Sequence, residues 1–384
     1  MTEPRPPATE ATPDALRGVR VAVDAMGGDH GPSEVVPGAL DFALDHPLDT
    51  LILVGDEAIV GRIAGDLPAN VRIQHASQVI GMDEHPALAL REKKDASILV
   101  ATDLVRRGDA DAVMTAGHTG AGMAAAILRL GRLPGVDRPG LAVQMITDSG
   151  PMVLIDIGAN PDSTAENLAQ FARMGAIFAE RVLGVASPRV ALLSIGEEKG
   201  KGDARIQAAT ELLDASGLRF EGNVEGKDLT KHPADVIVCD AVLGNVVIKF
   251  FEGLSGFIFD LWRAEFERSW RGRLAYLLMR PGIGRIRSVF DYEKVGGSPL
   301  LGVKGTAIIT HGRAKRRMIG FACEVAATTA RTRVPELIAE SLAADRAARA
   351  AHDASAATEI PTAPPGPPDH DAATERSPSE EMAT

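Results

Sequence analysis

Eight short runs constrain this chain most: "VRVAVDAM" from Val19, "LILVGD" from Leu51, "DAVMTAG" from Asp111, "LAVQMI" from Leu141, "MVLIDIG" from Met152, "RVALLSIG" from Arg189, "DVIVCDA" from Asp235 and "TAIITHG" from Thr306. Each is rich in Val, Ile and Leu and hardly alternates with polar residues. A strand with one wet face alternates; these do not, so both faces of their sheet must be covered. Helix periodicity fills the gaps. After "DIGANPDS", Leu168, Phe171, Met174, Phe178 and Val182 share one stripe, and Gly184 is a natural stop. Strand, loop, helix, strand predicts βαβ units. The expected fold class is α/β, a three-layer α/β/α arrangement with a mostly parallel sheet.

A chain of 384 residues with 45% hydrophobic content can build a large core. The N-terminus through residue 17 is rich in Pro, Thr and Glu and lacks the apolar centre of a signal peptide. From 343 to 384 there is no aromatic residue, and only Ile360 and Met382 are larger apolar ones. Both ends are expected to be disordered, with one domain over 18–342. No continuous run of about 18 apolar residues is found, so no membrane span is expected. The net charge of −11 argues against nucleic acid as a main partner. Cys239 and Cys323 make neither a disulfide framework nor a zinc site and suit a reduced, cytoplasmic setting.

The strand ends carry the chemistry. "DAMGGDHG", "TAGHTGAG", "DIGAN", "SIGEEKGKG" and "CDAVLGN" are small or glycine-rich. Glycines make tight turns, and they also let backbone N–H groups approach an anion at a helix N-terminus. With all these loops on one edge of one sheet, an anionic ligand is expected there. Asp24, Gly27, Gly28, Asp29, His30, Gly117, His118, Thr119 and Gly120 are the candidate binding residues. Asp24, Asp29 and His30 could ligate a hard metal, but they are read as turn caps. No cofactor and no metal is expected. "GEEKGKGD" misses P-loop spacing, and "GHTGAG" lacks the dinucleotide order. Cys239 could form a covalent thioester; it is read as a small apolar strand residue.

Residues 250–290 differ from the rest. They hold six of the eleven Phe and both Trp, and from 260 to 287 seven Arg stand against three acids. A helical hairpin is expected, broken near Pro281 and Gly282. Aromatic anchors among arginines suit a membrane surface or an acidic partner, with Trp262, Trp270, Leu277, Leu278 and Met279 as contacts. A dimer interface with a solvated Arg face explains the same pattern.

In order along the chain, "VAVDAMGGDHGP", "TAGHTGAGMA", "LIDIGAN", "LLSIGEEKGKG", "GNVEGKDL", "DVIVCDAVLGNVVIKFFEG", "GGSPLLGVKG" and "THG" closely resemble the phosphate acyltransferase family of bacterial phospholipid synthesis, the acyl-ACP:phosphate transacylases. The resemblance implies a fold similar to isopropylmalate dehydrogenases and phosphotransacetylases. It implies attack of inorganic phosphate on the thioester of a fatty acyl carrier protein. It also implies a homodimer, a peripheral membrane contact by the hairpin, and use of the product by a membrane-bound glycerol-3-phosphate acyltransferase. Lys201 and Asn245 match the family's catalytic pattern: a cation for phosphate or oxyanion, and an amide for the carbonyl or phosphate. As plain residues, Lys201 reads as an exposed loop lysine and Asn245 as a helix N-cap. The chain departs from the family pattern at His118, where Asn is usual, at Ser194, in "DAVLGN", at Val295, and after His311 and Gly312. Two other functions fit the residues: a phosphotransacetylase-like enzyme using a coenzyme A thioester, and a non-catalytic scaffold for acyl carrier protein.

Overall fold

The computed structural model describes residues 17–147, 149–289 and 291–358. The strands are β1 (Arg20–Asp24), β2 (Thr50–Gly55), β3 (Val71–His75), β4 (Ala112–Thr115), β5 (Gly140–Thr147), β6 (Gly150–Ile155), β7 (Arg189–Leu193), β8 (Arg219–Val224), β9 (Val236–Val238), β10 (Ser298–Leu301) and β11 (Thr306–Ile309). The helices are α1 (Gly31–Asp45), α2 (Glu57–Ala64), α3 (Pro86–Glu92), α4 (Ser97–Arg107), α5 (Thr119–Arg129), α6 (Ala165–Val182), α7 (Ala204–Asp214), α8 (Ala241–Glu267), α9 (Trp270–Val289), α10 (Arg316–Arg331) and α11 (Val334–Thr358). One 11-stranded sheet has the order β3-β2-β1-β4-β11-β10-β5-β6-β9-β7-β8.

Burial on both faces follows from the residue pattern. Val21 and Val23 point to one side, against α1 and α10; Ala22 points to the other, against α4 and α5. In the second half, Val190 and Leu192 face α6 and α7, while Ala191 and Leu193 face the opposite layer, where α8 packs. This is the expected three-layer α/β/α class. The stripe of Leu168, Phe171, Met174 and Phe178 lies on α6, buried as expected.

The sheet is not one parallel run. β10 is antiparallel to β11 and to β5, and β5 is antiparallel to β6. β1, β2, β3, β4 and β11 therefore run one way, and β6, β7, β8 and β9 the other. This corrects the expectation that the glycine-rich strand ends share one edge: the loops after β1 and β4 leave the sheet oppositely to those after β6, β7 and β9. Ile309 faces Ser298, Leu300 faces Leu141, and Ala142 faces Ile155. The last residues of β11 and β6 thus lie almost level across the two middle strands.

Three boundaries differ from the sequence reading. The hairpin begins at Ala241 rather than 250, and it turns at Arg268–Ser269 rather than at Pro281, which lies inside α9. Ser269 Oγ accepts from Gly272 N–H at 3.0 Å and starts the second helix. A Cβ on Gly272 would meet Phe266 O at 2.5 Å, so only glycine allows the close return. The compact body ends at Ala343, near the expected 342, but α11 continues to Thr358. Alanine supports a helix without burying anything, which a reading based on core formation misses. Residues 359–384 and 1–16 lie outside the described residues. Lastly, α8 is long and apolar enough to cross a membrane, with mean hydropathy 1.5 over 18 residues and only 6% of that stretch buried. Scattered Gly, Ser, Lys and Glu interrupt its apolar run without lowering the mean far, so no continuous apolar run marks it in the sequence.

Phe171 is fully buried in the second-half core. Phe171→Ala should cost about 3–5 kcal/mol of unfolding free energy by urea titration. A loss below about 1 kcal/mol would show a core that collapses freely around the site.

Candidate functional site

The loop after β1 serves the loops beside it. Burial pushes the Asp24 carboxyl above the usual carboxylate range, although Thr115 Oγ1 donates to its Oδ2 at 2.7 Å. Thr115 Oγ1 also accepts from Gly117 N–H at 2.9 Å. A Cβ on Gly27 would fall 2.8 Å from Gly117 N, and Gly28, with φ of +97°, lies against Ala116 O and Gly312 O. Asp29 N–H donates to Gly312 O at 2.8 Å, and His30 N-caps α1 without a side-chain bond. So Asp24, Gly27, Gly28 and Asp29 lock the loops after β4 and β11 together. The glycines after β1 thus permit close backbone contact.

The loop after β4 behaves similarly. His118 Nδ1 accepts from Gly120 N–H at 3.0 Å and caps α5, as an Asn side chain would. The N–H groups of Gly117 and Gly120 are therefore held by Thr115 and His118. Thr119, the first residue of α5, lines the central cavity.

On the other side of the reversal, Asp156 follows β6 and is fully buried. Its Oδ1 accepts from Leu141, Gly158 and Ala159 N–H, and its Oδ2 from Asn160 N–H and Nδ2. α8 starts directly above: a Cβ on Gly244 would lie 2.0 Å from Asp156 O. Asp240 is its N-cap, accepting from Leu243 N–H at 2.9 Å and pairing with Arg205 at 2.7 Å. Asn245 is therefore not the cap; it stands one turn further on and lines the cavity. Cys239 is buried, and desolvation pushes its thiol well above its ordinary pKa, which is unfavourable for a nucleophile.

The cavity occupies about 850 Å³ at the sheet reversal, between α8 and the middle strands. Its apolar wall includes Leu141, Val143, Met145, Ile248, Phe251 and Phe259; Thr119, Asn245, Lys249, Glu252 and His311 supply polar groups. Of the sequence-predicted residues, it brings together Thr119 and Asn245. Asp24, Gly27, Gly28, Asp29, His30, Gly117, His118, Gly120 and Lys201 are not in its lining. Lys201 is exposed on the loop after β7, its N–H donating to Glu198 O at 2.9 Å.

An ionic group at the cavity was missed from sequence. Lys249 Nζ donates to Glu252 Oε2 at 3.0 Å and to His311 Nε2 at 2.8 Å, with Glu252 Oε1 3.6 Å from the same ring nitrogen. Burial opposes the Glu252 charge, but His311 and Lys249 outweigh it and hold its carboxyl at about 2. The i,i+3 spacing of Lys249 and Glu252 looks like any helix-surface pair; the histidine that makes it a cluster comes from a distant strand end. Among the described residues, no group of three His, Cys, Asp or Glu could hold a metal ion.

The model of a family described as fatty acid synthesis protein matches residues 19–337. The chain belongs to this family. Fatty acid synthesis proteins named phosphate acyltransferase are close relatives. That of Desulfitobacterium hafniense is 46% identical over 310 residues, covering 80% of this chain and 93% of the relative. That of Heliobacterium modesticaldum is 47% identical over 312 residues, covering 80% and 93%. Among solved structures, a phosphotransacetylase from Streptococcus pyogenes matches with a TM-score of 0.55 at 16% identity, over 82% of this chain and 94% of that one. One from Staphylococcus aureus gives 0.53 at 15% identity, over 82% and 95%. These two share the fold. The chain is an enzyme, an acyltransferase.

The depressed Glu252 value sets a pH dependence. A carboxyl lowered on folding adds stability above its unfolded value, near 4.5, and this is lost as pH falls through about 2. The melting temperature of the wild type should exceed that of Glu252→Gln at pH 7, and the gap should close between about pH 4.5 and pH 2. A gap that widens on acidification would contradict the ionic cluster.

Proposed function

We propose that the acyl donor is the thioester of a fatty acyl carrier protein and that the product is a long-chain acyl phosphate. The reaction is acyl transfer to phosphate in fatty acid and phospholipid synthesis. A phosphate oxygen attacks the thioester carbonyl, the C–S bond breaks, and the phosphate proton passes to the departing thiolate. Phosphate is already partly dianionic near neutrality, so the protein has more to gain from placing it than from removing its proton. Asn245 donates to the carbonyl or phosphate as negative charge develops. Lys201 is read as a cation for the phosphate or the developing oxyanion, brought to the reactants from its exposed loop.

One observation carries the chain-length reading: the mostly apolar wall of the 850 Å³ cavity beside Asn245. Pockets of this size bury a whole drug-sized ligand, far more than an acetyl group needs. This favours a fatty acyl donor over the acetyl donor of a phosphotransacetylase-like enzyme. The ordered polar groups at its end favour catalysis over a scaffold role.

The hairpin supports the remaining partners. Trp262, Trp270, Leu277, Leu278 and Met279 are exposed, and arginines lie among them. Such a surface suits a lipid interface or a second copy of the chain. α8 is read as lying on the membrane, because Lys249 and Glu252 face the cavity and Val247, Ile248 and Phe251 pack against the sheet. A cytoplasmic homodimer touching the membrane would deliver acyl phosphate to a membrane-bound glycerol-3-phosphate acyltransferase.

Hydroxylamine trapping tests the reaction. Palmitoyl carrier protein and phosphate should give acyl hydroxamate with wild type, and acetyl coenzyme A should give little. Ile248→Trp should shift the preference toward shorter chains, since each excluded methylene costs about 0.8 kcal/mol. Acetyl and palmitoyl donors used equally well by both proteins would remove the cavity from the account.

A further inference from the structure

We infer that Lys249 is the cation that holds the reacting phosphate and the charge developing on the thioester oxygen, with Glu252 and His311 as its positioning residues. This rests on the reading of the protein as an enzyme transferring acyl groups to phosphate.

The helix geometry comes first. Asn245 and Lys249 are one turn apart on α8, so both project from one face, and both line the cavity. A lone lysine there would sweep a wide volume, because its four-carbon stem has many rotamers. Here two of its three donors are fixed, one by Glu252 on the next turn and one by His311 from the end of β11. One N–H donor remains. Lys249 Nζ and His311 Nε2 lie 2.8 Å apart, and since an ammonium can only donate, a neutral His311 receives this bond on Nε2. The cluster therefore ties α8, from one half of the sheet, to β11, from the other, across the reversal.

The charges are of the right kind. Glu252 pairs with Lys249 at 3.0 Å in the resting site, and the remaining ammonium N–H gives an incoming phosphate dianion a cationic donor. Lys249 is the lysine among the residues lining this cavity; Arg317, the other long cation there, is engaged by Asp291 and Glu293 at 2.7 and 3.1 Å. Thr119, the first residue of α5, also lines the cavity and adds the positive end of a helix. An anion held by Lys249 shares the cavity with Asn245, Thr119 and the apolar wall, where a thioester with its chain inside would present its carbonyl. Lys201 can add charge from outside, but it does not line this space.

Lys249→Cys followed by 2-bromoethylamine tests this directly. Alkylation rebuilds an ammonium of nearly the same reach. The natural Cys239 and Cys323 are buried, and desolvation raises both thiols, so the new thiol is the one modified. Lys249→Cys should lose turnover by roughly 100-fold, the scale of removing one oxyanion donor, and raise the KM for phosphate while leaving that for palmitoyl carrier protein within about twofold. Alkylation should restore at least about tenfold of the turnover and lower the KM for phosphate again. Should Lys249→Cys not fold, Lys249→Arg keeps the charge and both partners; it should retain phosphate KM within about threefold and lose turnover. Inorganic phosphate alone should raise the melting temperature of wild type and alkylated enzyme but not of Lys249→Cys. Unchanged phosphate KM in folded Lys249→Cys, or activity not restored by alkylation, would overturn the assignment. No acyl phosphate from the wild type would instead overturn the functional reading on which it rests.

Discussion

The reversal of strand direction at β10 and β5 decides where everything else can lie. In an open parallel sheet, ligands collect beyond the carboxyl ends of the strands. This sheet has two parallel sets running oppositely, so two such ends exist, and the register brings β11 and β6 to nearly the same level across the middle strands. The cavity forms at that junction. Asp156 fixes one side with five hydrogen bonds, and the Asp24–Thr115–Gly117 chain fixes the other. Neither carboxylate lines the cavity; both hold loops whose neighbours do.

α8 covers one side of that junction. Its start is set by Asp240, which caps the helix and binds Arg205, and by Gly244, the only residue type that tolerates Asp156 O so close. From there the helix carries Asn245, Ile248, Lys249, Phe251 and Glu252 across the cavity before it leaves the body as the exposed arm. One helix thus contributes polar and apolar residues to the cavity and then leads into the exposed hairpin.

Much of this was legible in the residues. The eight apolar runs are all strands, the α6 stripe is buried, and Thr119 and Asn245 reach the cavity. β3 "VRIQH", β8 "RFEGNV" and β10 "SPLL" escaped because they are edge-like, polar or carry a proline, and none resembles a buried run. Strand direction escaped for a deeper reason: a short apolar run reads the same whichever way it pairs, and the β5–β6 hairpin turn was not recognised. The glycine loops were right as places of close approach, yet the N–H groups of Gly117 and Gly120 serve Thr115 and His118. Nothing in the sequence singles out Lys249, because its histidine partner is 62 residues away. His118, a departure from the family pattern, performs the same capping bond as the Asn it replaces, so that difference leaves the loop intact.

A crystal structure with palmitoyl carrier protein joined through a non-cleavable thioether would decide where the chemistry sits. The chain should lie along Val143, Met145, Ile248 and Phe251, with the carbonyl carbon within reach of Asn245 and Lys249. A chain on the outer face of the hairpin, or a head group held at the loop after β7 away from α8, would contradict the site at the sheet reversal.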